Sequence, residues 1–355
     1  MSDFVPGIEL SRAFYGEVVA PLVSGVAHSA ALIGPGSEVL EFDTARSADH
    51  DWGPRVLVFV AAGTAPEVVA EVRAKVEAGL PERFGGFPTV FGYHGSVQPG
   101  VAVTELGSWL VGRLGFDPRA GVSLLDWLSA PWQSLAEVTR GEVFHDGLEA
   151  AVPGGGLETA RAALRWYPED VWRYVLACQW RRIAQEEPFP GRCGEVGDEL
   201  GSAVVGARLA REVMRLALLL RRRYPPYAKW LGSALARMPG STELGEFLGT
   251  ALAARSWRER QEGLSGAYAR VAALQNRMGL AERLDERVRG FFDRPFEVIG
   301  GDRFVQALLE SVSDPVIKGL PVVGCVDQLS DSTDLLMVPG RARALTAATL
   351  GLEAY

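Results

Sequence analysis

The sequence predicts an α+β fold: a small sheet domain over residues 1–120 followed by a larger, all-α helical-bundle domain over residues 121–355. Three observations predict it. Short β-branched runs punctuated by Gly and Pro alternate with helical spacing in the first third. After about residue 120 the apolar period is mostly helical. A chain of 355 residues is also long enough to bury two cores.

In chain order, residues 8–24 have apolar positions at helical spacing, with Pro21 near the C-terminal end. Ser29–Ile33 is a short apolar run stopped by Gly34-Pro35-Gly36, a buried strand running into a turn. Arg55–Ala62 is a second strand after Gly53-Pro54, Pro66–Leu80 an amphipathic helix, 84–100 a loop or irregular hairpin, and Val101–Leu106 a third strand. Beyond these, Pro153-Gly154-Gly155-Gly156 reads as a flexible connection. Pro168–Glu187 places apolar residues at 172, 176, 180 and 183 of one helix. A long helix follows from about Val196 to Arg223, ending before Tyr224-Pro225-Pro226, where a helix cannot continue.

Composition narrows the functional classes. Hydrophobic residues make up 48% and charged residues 23%, ordinary for a globular chain. The net charge of −8 and the lack of a basic block argue against a long nucleic-acid partner. The longest uncharged stretch, Val18–Ser37, is broken by Pro and Gly, so no membrane partner is expected. Cysteines 178, 193 and 325 are odd in number and scattered, which fits a reducing cytoplasm and neither disulfides nor a zinc site. The strong preference for Arg over Lys reads as codon bias of a GC-rich bacterial genome. Residues 1–120 hold eight basic against fourteen acidic residues, so the acidic surplus sits where a divalent cation would relieve it.

One constellation carries chemistry. Gly36-Ser37 supplies a tight turn whose backbone N–H groups can approach phosphate oxygens, and after an eleven-residue spacer come Asp49 and Asp51. On a strand, carboxylates at i and i+2 share a face about 6–7 Å apart. Their repulsion, about 2–3 kcal/mol at an effective dielectric near 20, is relieved when a divalent cation bridges them. Other chemistries are excluded. There is no Gly-Lys dipeptide for a Walker A loop, Val39 stands where a G-x-G-x-x-G motif needs its third glycine, and no G-x-S-x-G elbow occurs. The four histidines are too dispersed for a zinc motif.

Gly36-Ser37, the spacer and Asp49-His50-Asp51-Trp52 resemble the signature of the DNA polymerase beta-like nucleotidyltransferase superfamily, which includes aminoglycoside adenylyltransferases. The likeness covers about 100 N-terminal residues. The whole chain also resembles an uncharacterised bacterial family with such an N-terminal half. The resemblance implies a nucleotidyltransferase-type mixed sheet, with nucleotide phosphates on Gly36 and Ser37 and Mg²⁺ (or Mn²⁺) on Asp49 and Asp51. It implies transfer of a nucleoside monophosphate from a nucleoside triphosphate, ATP foremost, to a hydroxyl of a small-molecule acceptor. It also implies a third acidic residue on a later strand, as metal ligand or general base, for which Glu105 in V-A-V-T-E-L is the best-placed candidate. The alternative is a catalytically inactive descendant that senses nucleotide or binds a partner. His50 replaces the usual hydrophobic residue between the aspartates, and Pro54 follows closely.

Lys229, flanked by Tyr227 and Trp230, reads either as a point charge for the triphosphate or as a surface lysine lying over aromatics. Arg182 and Glu186 are spaced for an i, i+4 ion pair, Glu186 or Glu187 could line an acceptor pocket, and Asp331 and Asp334 read as a helix-capping segment.

Overall fold

The computed structural model describes residues 4–49, 52–93 and 96–353. The fold is α+β, with a mixed four-stranded sheet in the N-terminal region and helices beyond it. The chain divides into two compact units, Met1–Asp126 with Ser134–Arg165, and Trp127–Gln133 with Trp166–Tyr355. The sheet unit thus extends past residue 120, the boundary expected from the sequence, because a later segment returns to supply a strand.

The strands are β1 (His28–Leu32), β2 (Val56–Val60), β3 (Val101–Glu105) and β4 (Glu142–Asp146), in the order β3-β2-β1-β4. β1 runs antiparallel to β2 and to β4, whereas β2 and β3 are parallel. β1 is buried along its whole length, including its polar His28 and Ser29. β4 was expected to be helical. Its residues are only partly buried and carry no apolar alternation, so pairing with β1 alone makes it a strand.

Helix α1 (Gly7–Phe14) widens into a π turn over Tyr15–Val19 just before Pro21, which has no N–H to give to the ladder. Phe14 and Val19 from this segment, and Val72 and Val76 from α2 (Pro66–Gly79), close the core over Val56, Val58, Val60, Val101 and Val103. Each such side chain contributes about 1.5–3 kcal/mol through burial. Residues 153–156 are not a free connection. The N–H groups of Gly154 and Gly156 and the Thr159 hydroxyl donate to the Glu149 carboxylate.

In the helical unit the central element is α4 (Glu169–Glu186), with Trp172, Leu176, Trp180 and Ile183 buried as their spacing predicts. It packs against α5 (Glu199–Leu220) and α9 (Gly301–Glu310); α6 (Ala228–Ala236), α7 (Thr242–Ala253) and α8 (Trp257–Met278) complete the set discussed below. Trp180 stacks on Phe304 at 4.3 Å between ring centres and donates from Nε1 to Gln275 Oε1 at 2.6 Å. Arg182 does not pair with Glu186. It turns to the buried Glu212 of α5, with Nε 3.0 Å from Oε2, and Glu186 meets Arg208 instead. Glu187 is engaged elsewhere. Its carboxylate accepts from the N–H groups of Ile299 (2.7 Å), Gly300 (3.1 Å) and Gly301 (2.9 Å), closing the start of α9 from a distant part of the chain. The left-handed Gly300 lets these groups converge.

Glu187→Ala is therefore expected to strand three N–H groups, two of them buried with the residue, and to lower stability by about 3 kcal/mol. Glu187→Gln, which keeps an acceptor, should lose less. Urea midpoints of the two variants check the ranking.

Cysteines 178, 193 and 325 are free. No helix among the described residues is long and apolar enough to cross a membrane.

Candidate functional site

The antiparallel β1–β2 pair organises the candidate site. In register His28 faces Val60 and Ala31 faces Leu57, so the end of β1 and the start of β2 lie at the same edge of the sheet. The Gly34–Ser37 turn leaves β1 at that edge, and the segment carrying Asp49 and Asp51 leads into β2 there. Gly34 N donates to Glu137 O at 2.9 Å and Gly141 N to Val39 O at 3.0 Å, which ties the turn to the chain just before β4.

Gly36 has φ +146°, and a Cβ there would fall 2.6 Å from both Arg55 Nη2 and Glu38 Oε1. The positive φ favours glycine, and any side chain would have to push aside the ends of both neighbours. Beneath the turn lies Glu38, 1% exposed, with Arg55 Nη2 2.6 Å from its Oε1. The same Nη2 donates to Pro35 O at 2.6 Å, while Arg55 Nε is buried without a hydrogen-bond partner. Burial pushes the Glu38 carboxyl above the usual carboxylate range, opposed by Arg55, its own N–H and the Ser37 hydroxyl. Arg55 thus braces the turn, and Ser37 hydrogen-bonds the Glu38 carboxylate.

The chain between the turn and β2 is pinned by Asp43, whose Oδ2 accepts from Gly7 N (2.7 Å) and from Trp52 Nε1 (3.1 Å). Trp52 is buried against Phe87 in an edge-on contact. Asp49 closes a short 3-10 helix, Ala45–Asp49, so its backbone is not the extended strand on which the same-face argument relied. Asp51 lies outside the described residues.

Glu105 does not join this constellation. It pairs in register with Val60, at the far end of β2 from Val56, so about 13 Å of strand separates it from the turn edge. Its carboxylate caps α3 (Leu106–Leu114), accepting from Gly107 N and Ser108 N at 2.6 Å each. Burial opposes its ionisation, but those N–H groups, the Ser108 hydroxyl and Arg119 hold its pKa below the ordinary range. Glu105 is a helix cap on this geometry. The strand acid at the turn edge is Glu142, which faces Leu32 in register and holds Arg12 through two 2.5 Å bonds.

Lys229 belongs to the helical unit, exposed in the first turn of α6 with Nζ 4.7 Å from the Trp230 ring centre. That is the geometry of a lysine lying over an aromatic surface.

Arg55, Glu38 and Glu142 were not singled out from the sequence. Glu38 is adjacent to Gly36-Ser37, and Arg55 opens the β2 run, so their positions gave a usable signal. Glu142 gave none, because the segment holding it lacks strand patterning.

Residues 127–231 match a family described as a domain of unknown function (DUF4037). No curated protein and no solved structure matches the chain.

Proposed function

We propose that the chain is a Mg²⁺-dependent nucleotidyltransferase that moves a nucleoside monophosphate from ATP, or another nucleoside triphosphate, to a hydroxyl of a small-molecule acceptor. One observation carries the reading: the positive-φ Gly36 turn leaves β1 at the edge where β2 begins, and the connection between them carries Asp49 and Asp51 in its sequence. The superfamily resemblance requires that juxtaposition. Arg55, whose side chain is a quarter exposed, adds positive charge at the turn.

Asp49 and Asp51 offer carboxylate oxygens, the donors that Mg²⁺ and Mn²⁺ take. A cation held there would neutralise charge on the triphosphate. The described residues contain no group of three or more His, Cys, Asp or Glu arranged for a metal, so the fit rests on the donor chemistry of this pair. The chain's own work is positional. Glu38 fixes Arg55 and the turn, the turn orients the phosphates, and Glu142, in place of Glu105, receives the acceptor's proton. The acceptor oxygen bonds to the α-phosphorus as the bond to the β-phosphate oxygen breaks, and pyrophosphate leaves.

With ATP, Mg²⁺ and a panel of hydroxyl-bearing acceptors, the wild type should release pyrophosphate, and Asp49→Asn or Asp51→Asn should lose at least about 100-fold. Equal rates in wild type and variants reject the assignment. The displacement of Glu105 favours the rival, a protein that binds nucleotide without transferring it. ATP binding by calorimetry with no turnover on any acceptor supports that rival.

A further inference from the structure

The helical unit contains an open cleft of about 520 Å³, lined by Arg182 of α4, Arg208 and Arg211 of α5, and the segment from Asp327 to Asp331. That volume lies in the range of metabolite sites. Arg182 and Arg211 converge there because they share one buried acid. Glu212 is 1% exposed and accepts from Arg182 Nε at 3.0 Å and from Arg211 Nη2 at 2.8 Å, with Arg215 Nη1 3.8 Å away.

The anion at the mouth is of a different kind. Asp331 was expected to cap a helix; instead it sits in the connection between Val326–Leu329 and Thr333–Leu336 with its side chain 56% exposed. Its two oxygens span Arg211 Nη1 (2.9 Å) and Arg215 Nη2 (3.4 Å), guanidinium groups one helical turn apart. Asp331 itself is solvated while its partners are less exposed, and surface pairs contribute roughly 0–1 kcal/mol, so a better-matched anion can displace the carboxylate. Beside it Arg208, 53% exposed, meets only Glu186 among the described residues, through Nε at 3.2 Å. Guanidinium forks of this kind match the paired oxygens of carboxylates and phosphates.

We propose that this cleft binds a metabolite-sized molecule through a terminal oxoanion, which replaces Asp331 across Arg211 and Arg215 and takes a further bond from Arg208. Asp331 is then an internal stand-in for the ligand's charged group, and the walls formed by Asp327 and Ser330 are polar surfaces for the rest of the molecule. The Gly36-Ser37 turn belongs to the other compact unit, so the two sites are separately testable.

The test is calorimetric titration of the full chain with inorganic phosphate and with succinate, at matched ionic strength. Wild type, Asp331→Ala, Arg208→Ala and Arg55→Ala are compared. Both cleft positions are more than half exposed, so these variants should fold. Asp331→Ala should tighten binding of the preferred anion about tenfold, because the competing carboxylate is gone, and Arg208→Ala should weaken it by a similar factor. Preference for phosphate identifies a phosphate ester as the ligand, and preference for succinate a carboxylic acid. Unchanged affinity in Asp331→Ala, or no saturable binding in any variant at tens of millimolar, overturns the proposal. Binding lost in Arg55→Ala but kept in Arg208→Ala also overturns it, because the anion would then sit at the glycine turn.

Discussion

Replacing Glu212 with glutamine is expected to lower stability by about 3–5 kcal/mol at neutral pH, and the deficit should shrink as the pH falls below 4. Arg182, Arg211 and Arg215 all face this one carboxylate, and Gln179 Nε2 donates to it at 2.7 Å. Removing the charge leaves three partly buried guanidinium groups without their shared counter-charge. Burial opposes ionisation of Glu212, yet Arg215 and Arg182 prevail and hold its pKa at about 2. The ordinary glutamate value is higher, so this group's stabilisation is complete above about pH 4.5 and is lost as the pH falls towards 2. The amount is about 3 kcal/mol.

Asp327 acts with the opposite sign. Burial raises its pKa to about 6, against Trp132 N–H, which it accepts at 2.8 Å, and the charge of Arg215. A raised folded pKa means stabilisation present below the ordinary aspartate value of about 4 and lost as the pH rises through 6, again about 3 kcal/mol. These two groups alone therefore place a stability maximum between about pH 4 and 5. Denaturant midpoints measured from pH 3 to 8 should show Asp327→Asn flattening the limb between pH 4 and 6, and Glu212→Gln flattening the limb below pH 4.5. Curves parallel to wild type in both variants would sink the assignment.

Gly141→Ala is expected to cost about 3 kcal/mol or more and to abolish any activity that needs the glycine turn. Gly141 has φ +66°, which costs an L side chain about 1–2 kcal/mol. Its Cβ would also collide with the Leu32 carbonyl oxygen at the end of β1 and lie 3.4 Å from Val39 Cγ1. Relief requires β4 to move away from β1, and with it the Gly141 N–H bond to Val39 that braces the turn. Gly154→Ala is the control. Gly154 also has positive φ (+82°), but a Cβ there meets nothing within 4 Å, so only the backbone cost of about 1–2 kcal/mol applies. Thermal melts of both variants, with pyrophosphate release from ATP as a second readout, check the difference. Equal losses in the two would show that the contact with Leu32 is not the cause.

Local sequence determined much of this architecture. The runs at 29–33, 55–62 and 101–106 are strands within two residues of their expected limits, because short, mostly apolar segments punctuated by Gly and Pro have few alternatives. The helix at 66–79 and the long helix halted before Tyr224-Pro225-Pro226 follow from spacing and from the backbone limits of proline. The burial of Trp172, Leu176, Trp180 and Ile183 was likewise fixed by their period.

Tertiary structure alone decided which charges meet. Arg182 has a well-spaced helical neighbour in Glu186, yet the buried Glu212 holds it, because an uncompensated charge in the core costs far more than an exposed pair returns. Glu105 sits in a run that reads as the third strand of a transferase site, but strand direction puts it at the wrong end, and one-dimensional spacing contains no strand direction. β4 is a strand only because β1 offers an unpaired edge. Local propensity and periodicity act over a few residues and survive in the sequence, whereas the pairing of distant acids, arginines and strand edges is settled only when the chain closes on itself.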